Sequence, residues 1–276
     1  MTATGDSKRR DLSEGTFLVT GAGRRLGFAI AEALLARGAQ VVCHAWSSFE
    51  GLAEKLVDHG SRAFAVRADL RDPKAPTEIF RRVEQWGLEI EGIVHAASPF
   101  SKATLEETTS QLWDETFAVE VRAPVLLAKE LLRHRAKKGG AMVLLADTSV
   151  YASWQCHFAH SVAKSCILSL VRALAREMAP HYRVNALILG SVLPPEATSA
   201  EEMVRMRERT LLKKLGQPQD AIDAVIYLLK APYVTGAWLD VHGGAPWGRG
   251  GGGELQPEEG KAHERRTKGS ALGGPT

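Results

Sequence analysis

The stretch "VTGAGRRLGFAIAEALLARG" places Gly21 and Gly23 directly after an apolar run that ends at Thr20. Glycines so placed permit a tight turn and a close backbone approach to a pyrophosphate. The helix that starts near Arg25 would turn its free N–H groups toward that charge. An ordinary βα turn would accept the same residues. A dinucleotide site selective for NAD places an acid at the end of the second strand, and "VVCHAWSSFE" has none before Glu50. Ser47 and Ser48 are small donors there, and Arg24 and Arg25 could meet a 2′-phosphate as charge-assisted pairs. This pattern favours NADP(H) over NAD(H), although either arginine could equally be solvated surface charge.

His157 and His160 stand three residues apart on a helical pattern, with His95 further back. No third ligand stands at a convincing spacing, so no metal is expected. Cys43, Cys156 and Cys166 are odd in number and lack CxxC spacing, which argues against a disulfide framework or a structural zinc.

The elements that must hold these residues alternate along the chain. Strands are expected at 16–20, 40–45, 62–68, 92–97, 140–147, 183–189 and 238–241, with periodic helical segments between them. Gly38 is a helix stop after the first helix. This is the pattern of a single-domain, doubly wound α/β (Rossmann) fold: a parallel seven-stranded sheet with helices on both faces and its ligands beyond the carboxyl ends of the strands. Residues 1–14 read as a flexible polar arm, 15–246 as the domain, and the glycine-rich, charged 247–276 as a disordered tail.

The 276 residues are 45% apolar, enough for one large core, and carry a net charge of only +3. Neither nucleic acid nor a membrane is expected as a partner, and no apolar segment approaches the length of a bilayer span. The charged N-terminus lacks the apolar core of a signal peptide, so a cytoplasmic location is expected.

From Gly15 to Gly244 the sequence resembles the short-chain dehydrogenase/reductase family. The pieces in order are "TGAGRRLG", "ADL" at 68–70, "HAAS" at 95–98, "HSVAK" at 160–164, "RVNALILGSV" at 183–192 and "VTGAWLDVHGG" at 234–244. Within the family it is most similar to pteridine and dihydropterin reductases. Arg25 stands at the middle glycine of the turn, and His44, "SPF" at 98–100 and Asp147 match that group. The resemblance implies an NADP(H) site formed by Gly21, Gly23, Arg24, Arg25, Leu26 and Gly27, with His44 and Ser47 after them. Asp69, Leu70, Ala96 and Ala97 follow, then Lys164 on the nicotinamide ribose, and Gly190 and Val192. It implies a small planar substrate beside Ser98, Phe100, Asp147 and Trp154, Phe100 stacking on the ring. It also implies a homo-oligomer, dimer or tetramer, built on the fourth and fifth helices.

Three positions depart from the family pattern. The usual asparagine is Glu120, the usual tyrosine is His160, and a common proline is Leu189. The catalytic group implied is therefore Glu120, Asp147, His160 and Lys164. Hydride delivery requires a proton donor. His160 could serve as an imidazolium, opposed by Lys164 one turn away and favoured by the two carboxylates. Asp147 is the better candidate if an apolar site raises its pKa and keeps it neutral. The leading expectation is NADPH-dependent reduction of a C=N bond in a pterin or similar heterocycle. A carbonyl reductase with an atypical donor is the second, and a non-redox binding or scaffold protein the third.

Overall fold

The structure, a computed structural model, describes residues 11–135, 139–194 and 198–248. Seven strands form one parallel sheet in the order β3-β2-β1-β4-β5-β6-β7. They are β1 (Thr16–Thr20), β2 (Gln40–Ala45), β3 (Ala63–Arg67), β4 (Gly92–His95), β5 (Gly140–Asp147), β6 (Tyr182–Leu189) and β7 (Trp238–Val241). The central strands are covered on both faces, which is why they read as nearly unbroken Val/Leu/Ile runs. The strand order reverses between β1 and β4. That opens a crevice at their carboxyl ends, where this fold binds ligands.

On one face α1 (Arg25–Ala36), α2 (Phe49–Leu56) and α8 (Pro218–Lys230) bury Ile30, Leu34, Leu52, Val225 and Leu228 against the sheet. On the other, α3 (Ala75–Gln85), α5 (Ala123–Arg135) and α6 (Phe158–Met178) bury Ile79, Phe80, Leu127, Leu131, Ile167 and Val171. α4 (Ser110–Phe117) packs on α6, and α7 (Ala200–Arg209) has no buried residue. Gly38, at φ 88°, ends α1 as expected: the N–H groups of Gly38 and Ala39 return to the carbonyls of Leu35 and Leu34.

Several expectations are corrected. β4 stops at His95 rather than residue 97, because β1 and β4 diverge there. Ala96 N–H donates to the Thr20 carbonyl and Ala97 N–H to Thr20 Oγ1. The arm is anchored before residue 14, since Leu12 is buried in the core and its carbonyl accepts from Gly15 N–H. Residues 1–10 and 249–276, which hold most of the expected arm and tail, lie outside the described residues. By length and composition α6 is apolar enough to cross a membrane, although Lys164, Arg172 and Arg176 interrupt its apolar residues. Its apolar stripe is buried against β5 and β6, which accounts for that composition.

Candidate active site

The glycine turn is built for close approach. Gly21 has φ 70°, and a Cβ there would lie 2.7 Å from Ala97 Cα, so Ala96 and Ala97 form its wall. A Cβ on Gly27 would lie 2.2 Å from the Gly21 carbonyl, which lets α1 start directly against the turn. Arg25 takes φ 53°, the left-handed region that favours glycine. The first turn of α1 has neither a side-chain cap nor an acidic residue, so its N–H groups are open to an anion. These features fit a dinucleotide pyrophosphate. Leu26 packs toward the core, while Arg24 and Ser47 are exposed.

His44 supports this turn from beneath. It is buried, its Nδ1 accepts from Gly21 N–H at 3.4 Å and its Nε2 donates to the Ala68 carbonyl at 3.0 Å. Burial pushes its pKa down to about 4, so the ring is neutral and shapes the turn instead of carrying charge to it. Asp69 is clamped by Arg71, whose hydrogen bonds hold the carboxyl below its ordinary range, and Leu70 is buried beside it. Beyond β6, a Cβ on Gly190 would lie 2.7 Å from His242 Cα, and Val192 N–H turns back to the Gly190 carbonyl.

Three elements bring the four acid–base residues together. Asp147 ends β5, and His160 and Lys164 lie one turn apart on α6. Glu120 comes from a π-helical turn, Ala118–Arg122, between α4 and α5; such turns cluster at functional sites. His160 Nε2 is 2.8 Å from Asp147 Oδ2, and its Nδ1 is 3.9 Å from Glu120 Oε1. Lys164 Nζ is 2.8 Å from Glu120 Oε2 and donates to the Leu145 carbonyl at 2.9 Å. The Lys164–Glu120 contact is a close charge pairing off the hydrogen-bond line, since Glu120 Oε2 has no aligned donor among the described residues. Ser98 Oγ donates to Glu120 Oε1 at 2.5 Å, which commits this expected substrate contact to Glu120.

The expectation of a neutral Asp147 is corrected here. Burial alone would raise its carboxyl, but the hydrogen bond from His160 and the positive charge of Lys164 outweigh it and hold the group below the usual carboxylate range. As a carboxylate Asp147 only accepts, so the hydrogen on the shared line belongs to His160 Nε2. Asp147 Oδ1 also accepts from Ser149 N–H. The His160 side chain is 0% exposed and that of Asp147 17%, so only Asp147 reaches the crevice.

Aromatic rings close the other side. Phe100, with φ 49° and 52% exposed, meets the His160 ring edge-on at 5.1 Å. Trp154 stacks on the same imidazole at 5.8 Å. Tyr151 turns away, its hydroxyl donating to Asp240 at 2.7 Å. The histidines do not converge on a metal site: His95 is buried between Thr20 Oγ1 and the Val119 carbonyl, and His157 bonds the Gln155 carbonyl. Sequence reasoning missed Asp240 and His242 below Tyr151, and Trp46 and Arg67 beside the turn, since these contacts form only when segments far apart in the sequence are brought together.

Residues 21–246 match a short-chain dehydrogenase family model described as Enoyl-(Acyl carrier protein) reductase. The chain belongs to the short-chain dehydrogenase/reductase family. Among its members, "Tropinone reductase-like 3" of Erythroxylum coca is 33% identical over 83% of this chain and 92% of its own length. "Dihydromonapterin reductase" of an Enterobacter species is 28% identical over 83% of this chain and 95% of its own. FolM alternative dihydrofolate reductase 1 from Brucella canis, solved in complex with NADP, superposes with a TM-score of 0.77 at 28% identity. That match covers 85% of this chain and 95% of the other. The short-chain dehydrogenase/reductase fold thus accounts for the whole described domain.

Proposed function

We propose that this family member is an NADPH-dependent reductase that reduces a C=N bond in a pterin or other planar heterocycle, with His160 in place of the family's tyrosine. The observation that carries the reading is the Asp147–His160 pair set beside the open ring of Phe100. The glycine turn would hold the pyrophosphate, and Lys164, with donors left beyond its hydrogen bond to the Leu145 carbonyl and its ion pair with Glu120, the nicotinamide ribose. NADPH, when bound, supplies the hydride.

The protein's own part is the proton. In the proposed step His160 starts as an imidazolium between the two carboxylates, gives its Nε2 proton along the 2.8 Å line to Asp147 Oδ2 and is left as a neutral imidazole. Asp147, the partly exposed member, passes the proton to the substrate nitrogen and returns to a carboxylate. Glu120 balances Lys164 and faces the far side of the imidazole, so the buried charges alternate in sign. Phe100 offers one face to a flat ring. The similarity to dihydromonapterin reductase and to FolM supports the pterin class. A ketone substrate is the second reading, supported by the similarity to tropinone reductase-like 3 and compatible with the same relay. Exposed Val125 and Leu132 on α5 support a homo-oligomer. NADPH consumption with oxidised pterins, dihydropterins and ketones tests the assignment. Turnover confined to ketones would replace the first reading with the second.

A further inference from the structure

Arg24 and Arg25 are the sequence's candidates for a 2′-phosphate, but Arg25 spends its guanidinium on the Leu193 carbonyl, beyond β6 on the opposite side of the crevice. A third arginine, Arg67, stands beside the turn. In register, Thr20 pairs with His44 and Ala45 with Arg67. Arg67 thus leaves the sheet one residue beyond the level at which β1 gives way to the glycine turn. Its guanidinium carbon lies 5.1 Å from the Trp46 ring and 6.0 Å from Phe49, and its Nη1 is 2.9 Å from Glu50 Oε1. Ser48 Oγ sits 1.9 Å from where a Gly23 Cβ would be, which joins this cluster to the turn.

We propose that Arg67, held by Trp46 and Phe49, is the residue that selects a 2′-phosphate on the adenosine ribose. The site is built for that task in three respects. Stacking on two rings fixes the guanidinium plane while the side chain stays 49% exposed and open to an anion. Ser47 and Ser48, between Trp46 and Phe49 in the sequence, add hydroxyl donors. Glu50, the first acid after β2, is engaged by Arg67, so a carboxylate that would repel the phosphate is neutralised. This inference rests on the NADPH reading above and names the residue behind it.

Fluorescence titration of NADPH and NADH against the full-length protein tests it by binding alone. Arg67→Gln is expected to weaken NADPH by on the order of 10- to 100-fold while NADH changes less than about 3-fold. Glu50→Gln frees the guanidinium and is expected to tighten NADPH without moving NADH. An Arg67→Gln protein that keeps the wild-type preference, or loses both cofactors equally, overturns the role of Arg67 but leaves the NADPH reading standing. A wild-type protein with no preference for NADPH overturns both.

Discussion

The buried imidazole of His160 lies between two carboxylates, with Nε2 2.8 Å from Asp147 and Nδ1 3.9 Å from Glu120, while Lys164 closes on Glu120 at 2.8 Å. An isolated charge in this environment would cost far more than a paired one. In the proposed reading this arrangement holds a proton out of water and presents it to the crevice through Asp147.

Replacing His160 with Phe keeps a ring against Trp154 and Phe100 and removes the proton. Turnover should fall by about 10²- to 10⁴-fold, the usual contribution of a general acid. NADPH affinity should stay within about 2-fold, since the ring faces the substrate side and not the glycine turn. Steady-state kinetics beside cofactor titration separates the two quantities, and equal losses in both would show His160 to be structural.

Glu120→Gln leaves Lys164 buried opposite a neutral amide. Breaking one partner of a buried pair costs about 3–5 kcal/mol, so the midpoint of urea unfolding should drop sharply. The double variant Glu120→Gln/Lys164→Met should recover part of that loss, because no unpaired charge remains. A double variant no more stable than the single would contradict a charge-based account.

Acid should unfold the protein in two stages of the same sign. Burial holds His44 at about 4 and His95 at about 3, both below the ordinary imidazole value. As pH falls below about 6.5 the unfolded chain takes up these protons first, and each ring removes about 1.4 kcal/mol of stability per pH unit until its folded pKa is reached. Asp147, whose carboxyl is depressed below its ordinary value of 3.8, contributes stability above that value, and this is lost as pH falls through the folded pKa. Urea titrations between pH 7 and 4 should show the first slope, and His44→Gln should flatten it.

Phe100→Ala removes the half-exposed ring beside His160. KM for a planar heterocycle should rise about 10-fold, from a lost ring contact of about 0.5–1.5 kcal/mol and its buried area. A small aliphatic ketone should be handled nearly as before. Comparing the two substrates in one variant isolates stacking from general damage.

Much of this was legible in the sequence. The bounds of β1, β2, β5 and β7 follow directly from apolar runs that the sheet buries. The glycine turn could be named because a strand, a turn and a helix start lie together along the chain, whereas Phe100 and the acid–base group could be named only through the resemblance to the family's motifs. What could not be read depends on partners brought in from afar. Arg25 ends on Leu193, 168 residues away. Asp147 would be neutral in an apolar site, and only the placement of His160 and Lys164 against it makes it a carboxylate. Arg67 becomes interesting only when β3 registers against β2 and sets it over Trp46.

The central claim is tested most directly by NADPH oxidation with a panel of dihydropterins and oxidised pterins, run on the wild type and on Asp147→Asn. The account predicts turnover of a dihydropterin that falls by at least about 10²-fold in the variant, with NADPH still bound. Undiminished turnover in Asp147→Asn, or silence on every pterin while NADPH binds, would contradict it.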